Sequence, residues 1–168
     1  GGGGSFDPAS QRTRPFAFAD FTGPAGADTG EASYAKWDLT LIGSGTQAKI
    51  AGEPDHPGII RLSSSTTANS GGVITSDVTG HRFNGGDTFE VVFQIRASTA
   101  TTHRMGFRDN TTSADVVDGA YFELAAGSLN LVGKTANNST RTTSATIAAL
   151  SLNTWYRARV EVNGAVTS

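Results

Sequence analysis

The amino-acid sequence predicts an all-β fold, an antiparallel two-sheet β-sandwich, and three observations carry that expectation. Apolar residues alternate with polar ones at a period of two in several stretches, whereas a helix would repeat them every 3.6 residues. Turn formers are dense, with 21 Gly among 168 residues and abundant Ser and Thr. Hydrophobic residues make up 37%, below the usual globular share, yet nine Phe, two Trp and three Tyr are enough to fill one core. The length suits a single domain.

The strongest strand is TFEVVFQIRA at 88–97. It places Phe89, Val91, Phe93 and Ile95 on one face and Glu90, Gln94 and Arg96 on the other. HRMGFRD at 103–109 sets Met105 and Phe107 against Arg104 and Arg108, and the polar STATT between the two runs reads as a hairpin loop. GAYFELAAGSLNLVGK sends Phe122 and Leu124 inward and Tyr121 and Glu123 outward, with 125–128 as a turn. TWYRARVEVNG closes the series, with Tyr156, Ala158, Val160 and Val162 opposite Arg157, Arg159 and Glu161. Weaker strands are expected at PFAFADF near the start, WDLTLI at 37–42, GIIRLSS at 58–64, GGVITSD at 71–77 and TRTTSATI at 140–147. Turn signals at Asn84-Gly85-Gly86 and Asn163-Gly164 punctuate them.

The first five residues, GGGGS, are a flexible tract, either an appended linker or a native Gly-rich joint, and FDPASQRTRP reads as an extended arm. The expected division is therefore a linker and arm over 1–15 and a sandwich over 16–168. A net charge of −2 and a pI near 5.9 leave no cationic footprint for nucleic acid or an anionic membrane. The absence of cysteine removes disulfides, thiolate metal sites and a thiol nucleophile. No apolar run approaches the length of a membrane span, so no membrane insertion is expected.

EPDHPG at 53–58 concentrates Glu53, Asp55 and His56 in four positions. These side chains offer proton transfer or metal ligation. They also fit a turn, in which Pro54 and Pro57 fix φ, Asp55 caps locally and Gly58 releases the chain into Ile59 and Ile60. The turn is the preferred reading, because the flanking prolines hold the imidazole without supplying the hydrogen-bonded support that a catalytic His needs.

In order, the stretches WDLTLIGSGTQ, DHPGIIRLSSSTTANSGGVI, DTFEVVFQIRAS, HRMGFRD, DGAYFEL and NTWYRARVEV resemble the concanavalin A-like jelly-roll modules of bacteriophage virion proteins, such as tail fibres, tail spikes and capsid decorations. The resemblance covers roughly 34–163 and rests on strand motifs. It implies a jelly-roll sandwich on the surface of a virion, other virion proteins as partners, and a homo-oligomer with a trimer favoured. No cofactor or metal is implied. The function expected from it is structure, decoration or host attachment without catalysis.

The jelly-roll class also contains glycoside hydrolases, whose retaining chemistry needs two carboxylates about 5 Å apart, commonly on one face of an E-x-D-x-x-E strand. No such strand occurs; FEVVF and YFELA carry one Glu each, and Asp109, Asp115 and Asp118 fall in Thr-, Asn- and Gly-rich loops. A glycan-degrading enzyme ranks third. The competing reading is glycan binding on an outward face that gathers Arg96, Arg104, Arg108, Tyr121, Arg157 and Arg159 with Glu90, Glu123 and Glu161. Arginine forks suit carboxylated sugars; a solvated face laced with ion pairs, or a subunit contact, fits the same residues. Trp155, at the start of its strand, is expected to seal the end of the core.

In the modules this chain resembles, a hairpin partner follows the WYRARVEVNG strand, whereas here AVTS ends the sequence. Either the last strand is missing or one arrives from elsewhere, since an open edge beside RVEV would recruit another chain.

Overall fold

The computed structural model describes residues 37–76, 86–97 and 100–163. The expectations for the 1–15 linker and arm, for PFAFADF, for Asn84 and Gly85, and for the residues after Asn163 lie outside the described residues.

Ten strands account for the regular structure among the described residues: β1 Trp37–Ile42, β2 Thr46–Ile50, β3 Ile59–Ser63, β4 Gly71–Ser76, β5 Asp87–Gln94, β6 His103–Arg108, β7 Gly119–Leu124, β8 Asn130–Asn137, β9 Thr140–Ala149 and β10 Trp155–Val162. All pairings are antiparallel and no helix occurs among the described residues. β1 pairs β4, β2 pairs β3, β5 pairs β10, and β6-β7-β8-β9 form a four-stranded meander. The chain is an all-β antiparallel sandwich.

The main core lies between the β5–β10 ribbon and the meander. Phe93, Ile95 and Ala158 from the ribbon side meet Leu124, Leu131 and Leu150, with Val91, Met105, Phe122 and Tyr156 packed around them. The period-two pattern of 88–97 supplies this face, and Leu124 is fully buried at its centre. Val92, on the opposite parity, is 49% exposed. Tyr156 packs tilted on Phe93 at 6.0 Å and its hydroxyl accepts the Ser151 amide, so the half-buried ring keeps a partner for its polar end.

The structure corrects one pairing. The STATT stretch does not close a hairpin between 88–97 and 103–109, because β5 pairs β10 while β6 pairs β7. The chain crosses from one layer to the other after Gln94, which lets Ile95 stay in the core. The return crossing, residues 150–154, is tied by Leu150 N–H to the Leu129 carbonyl and by Asn153 N–H to the Ile95 carbonyl.

A second correction concerns the far face of the meander. Tyr121 and Glu123 do point away from Phe122 and Leu124, but loop 109–118 covers them, leaving Tyr121 3% and Glu123 6% exposed. Val116 from that loop is fully buried against Tyr121 and Ala136. The loop is held by Asp109, whose carboxylate accepts the Val117 amide, and by Asp118, whose carboxylate accepts the Asn138 amide. Asn138 and Ser139 both have positive φ, the two-residue turn that matches strand twist between β8 and β9. Gly106, inside β6 at φ +139°, is required there: a Cβ would sit 2.7 Å from the Ala120 carbonyl oxygen and from Tyr121 Cα.

β9 is an edge strand exposed along nearly all its length. Its ladder with β8 shifts register twice, between Leu131 and Val132 and between Val132 and Lys134. Ser144 caps this irregular stretch by accepting the Gly133 amide through its hydroxyl. Such bulges twist an edge away from flat pairing with another chain.

Candidate binding face on the β5–β10 ribbon

The outward side of the ribbon follows from register. Trp155 lies opposite Gln94, Arg157 opposite Val92, Arg159 opposite Glu90 and Glu161 opposite Thr88. Since Tyr156 and Ala158 face the core, these partners share the solvent side. Two ion pairs lie on it: Arg157 to Glu90 across the two strands at 2.8 Å, and Arg159 to Glu161 along β10 at 2.9 Å. The Glu90 carboxylate holds the Arg157 guanidinium above its usual pKa. Both pairs are exposed, so they order the surface more than they stabilise it.

At the Trp155 end the chemistry changes. The His56 ring stacks on the indole at 4.1 Å and 24°, and the indole N–H donates to the Glu53 carboxylate at 2.9 Å. Gln94 lies across the ladder from Trp155, and its amide oxygen accepts from Arg96 at 3.2 Å. The turn that brings Glu53 and His56 here is local. Glu53 and His56 exchange both backbone hydrogen bonds at 2.9 Å around Pro54 and Asp55, and Asp55 has φ 70°. Proline followed by a positive-φ residue is the signature of a type II turn. EPDH is therefore a turn, as its prolines predicted, and its two flanking side chains reach Trp155.

Trp155 accordingly does not seal the core; it is half-buried on the solvent side, against His56. Its outward parity was legible from the inward Tyr156 next to it. The contact to Glu53, 102 positions away, was not.

The five arginines and one tyrosine expected on one glycan-binding face are divided between two. Arg96, Arg157 and Arg159 lie on the ribbon's outer face, or just past its end. Arg104, Arg108 and Tyr121 lie on the far side of the meander. There Arg104 binds Glu123 at 2.9 Å and Asp115 at 2.8 Å, while Lys134 takes the other Glu123 oxygen at 2.6 Å. Burial alone would raise the Glu123 pKa, but the Arg104 and Lys134 hydrogen bonds and charges outweigh it and hold the carboxyl below its ordinary value. Among the described residues Arg108 donates to the Asn110 carbonyl, at 3.4 Å. Tyr121, buried under Val116, is not offered to a ligand.

Among the described residues no group of three or more His, Cys, Asp or Glu is placed to hold a metal ion. The four glutamates on or beside these faces are each committed: Glu53 to Trp155, Glu90 to Arg157, Glu161 to Arg159, and Glu123 to Arg104 and Lys134.

The described residues define a class, an antiparallel β-sandwich with a polar outer face that ends in a stacked His–Trp pair. Residues 55–168 match the family described as SO2946-like, C-terminal domain, and the chain belongs to that family. The match starts at Asp55, so β1, β2 and Glu53 precede it. No curated protein and no solved structure matches the chain.

Proposed function

We propose that the chain is a non-catalytic attachment module, a sandwich of the concanavalin A-like jelly-roll type displayed on the surface of a phage particle, which holds the host through surface glycans. The strand motifs supply the setting. One observation supplies the means: the ribbon's outer face sets the His56–Trp155 stack beside the amide of Gln94 and the guanidinium of Arg157. An aromatic body flanked by planar donors is the composition that sugar rings recognise, apolar against ring C–H and polar against hydroxyl. The engagement of each nearby glutamate by a cation or an indole favours holding a sugar over cleaving it, since hydrolysis needs a carboxyl free to donate a proton and a second one beside it. Single contacts of this kind are weak, and display on a trimer or other homo-oligomer among virion proteins would convert them to avidity.

The test is a printed glycan panel probed with the wild-type chain and with Trp155→Ala and Arg157→Ala variants, each checked for an unchanged circular dichroism spectrum. Binding lost in both variants supports the reading. Binding that survives both, or no binding to any glycan, removes it.

A further inference from the structure

The outer face of the ribbon is not uniform in charge, and its gradient points to the kind of sugar it takes. At one end each arginine has a carboxylate: Arg157 has Glu90 and Arg159 has Glu161. At the Trp155 end the Glu53 carboxylate accepts the indole N–H, a neutral donor that leaves its charge in place, and it is not paired with an arginine among the described residues. Arg96, exposed at that end, donates only to the neutral amide of Gln94 among the described residues. A guanidinium carries five N–H donors in a planar fork, and an amide oxygen uses one of them. Arg96 therefore keeps four N–H donors and has no ion-pair partner among the described residues, at the end of the face that carries the His56–Trp155 stack.

Resting on the glycan-binding reading, we infer that this end of the face selects carboxylate-bearing sugars, with Arg96 gripping the carboxylate while the sugar ring lies against the His56–Trp155 stack. The register sets the spacing. Gln94 is directly across the ladder from Trp155, and Arg96 reaches back to Gln94, so the fork and the rings flank one site about the width of a single residue pair. A neutral sugar offers the Arg96 donors only uncharged hydroxyl oxygens. An acidic one gains a charge-assisted, bidentate contact. Arg157 and Arg159 cannot substitute without first giving up an existing ion pair.

The experiment uses the whole chain and two matched probe sets, uronate- and sialate-containing oligosaccharides and the same oligosaccharides with their carboxyls converted to methyl esters. Binding is measured by titration calorimetry at low and at physiological salt. The acids should bind about tenfold or more tightly than the esters, as expected for a hydrogen bond to a charged group. Arg96→Gln should erase that preference with the melting temperature unchanged, and Arg159→Gln should keep it. Equal binding of acid and ester, or a preference that survives Arg96→Gln, overturns the carboxylate assignment. If the esters bind and Trp155→Ala abolishes that binding, glycan attachment stands without it; if neither set binds, both readings fall.

Discussion

Trp155 and Glu53, 102 positions apart in sequence, meet across 2.9 Å, with the indole N–H donating to the carboxylate and His56 stacked on the ring. The contact ties the turn before β3 to the first residue of β10, and so joins the β2–β3 ribbon to the ribbon that covers the main core.

This clasp has a measurable coupling. A double-mutant cycle of Glu53→Ala and Trp155→Phe, read by urea unfolding, should give an interaction energy of about 1 kcal/mol, the net value of one exposed charge-assisted hydrogen bond. Additive effects of the two changes would show that the contact contributes no stability of its own.

Leu124 is the anchor of the core, fully buried between ribbon and meander. Leu124→Ala should lower stability by about 2–5 kcal/mol. Val92→Ala, on the solvent side, should stay within about 0.5 kcal/mol. Comparison of the two urea midpoints at constant m-value checks both.

Gly106 has no room and no permissible φ for a side chain. Gly106→Ala should cost about 1–3 kcal/mol through backbone strain alone. Gly71→Ala, at a position with open space around its Cβ, is the matched control in a thermal melt.

Two groups should give stability its pH dependence, in separate windows. Burial lowers the His103 pKa below its ordinary 6.5 and its Nε2 has no hydrogen-bond partner among the described residues, so the folded state keeps the neutral ring. The unfolded chain takes up the proton first; stability is full above pH 6.5 and declines as pH falls toward the lowered folded value. Glu123 acts lower down. Its pKa is depressed on folding, so its contribution is complete above 4.5 and is lost as pH falls through the folded value. In urea titrations at stepped pH, His103→Asn should flatten the first decline and Glu123→Gln the second. A first decline unchanged by His103→Asn would assign it to another group.

How much of this was legible in the sequence depends on how local each cause is. The parity of β5, β7 and β10 was plain, because Phe93, Leu124 and Ala158 alternate with polar neighbours and parity is set by the backbone alone. The EPDH turn was plain for the same reason. The partner of β5 was not, since STATT suits a hairpin loop as well as a crossing between layers, and only the packing of Ile95 decides between them. Nor was the cover over Tyr121: loop 109–118 reads as polar, and one fully buried valine, Val116, fixes its position. β2 passed unnoticed because TQAKI is short and places only Ala48 and Ile50 on one face. The candidate face was half visible. Arg96, Arg157 and Arg159 were singled out by parity, whereas Glu53 and His56 join them only through tertiary contact.

The most direct measurement is an amide and indole chemical-shift map of the whole chain titrated with a bound glycan from the panel. Shifts should concentrate at Gln94, Arg96, the Trp155 indole and Arg157. Shifts centred instead on loop 109–118 or on β9, with the Trp155 indole unmoved, would contradict it.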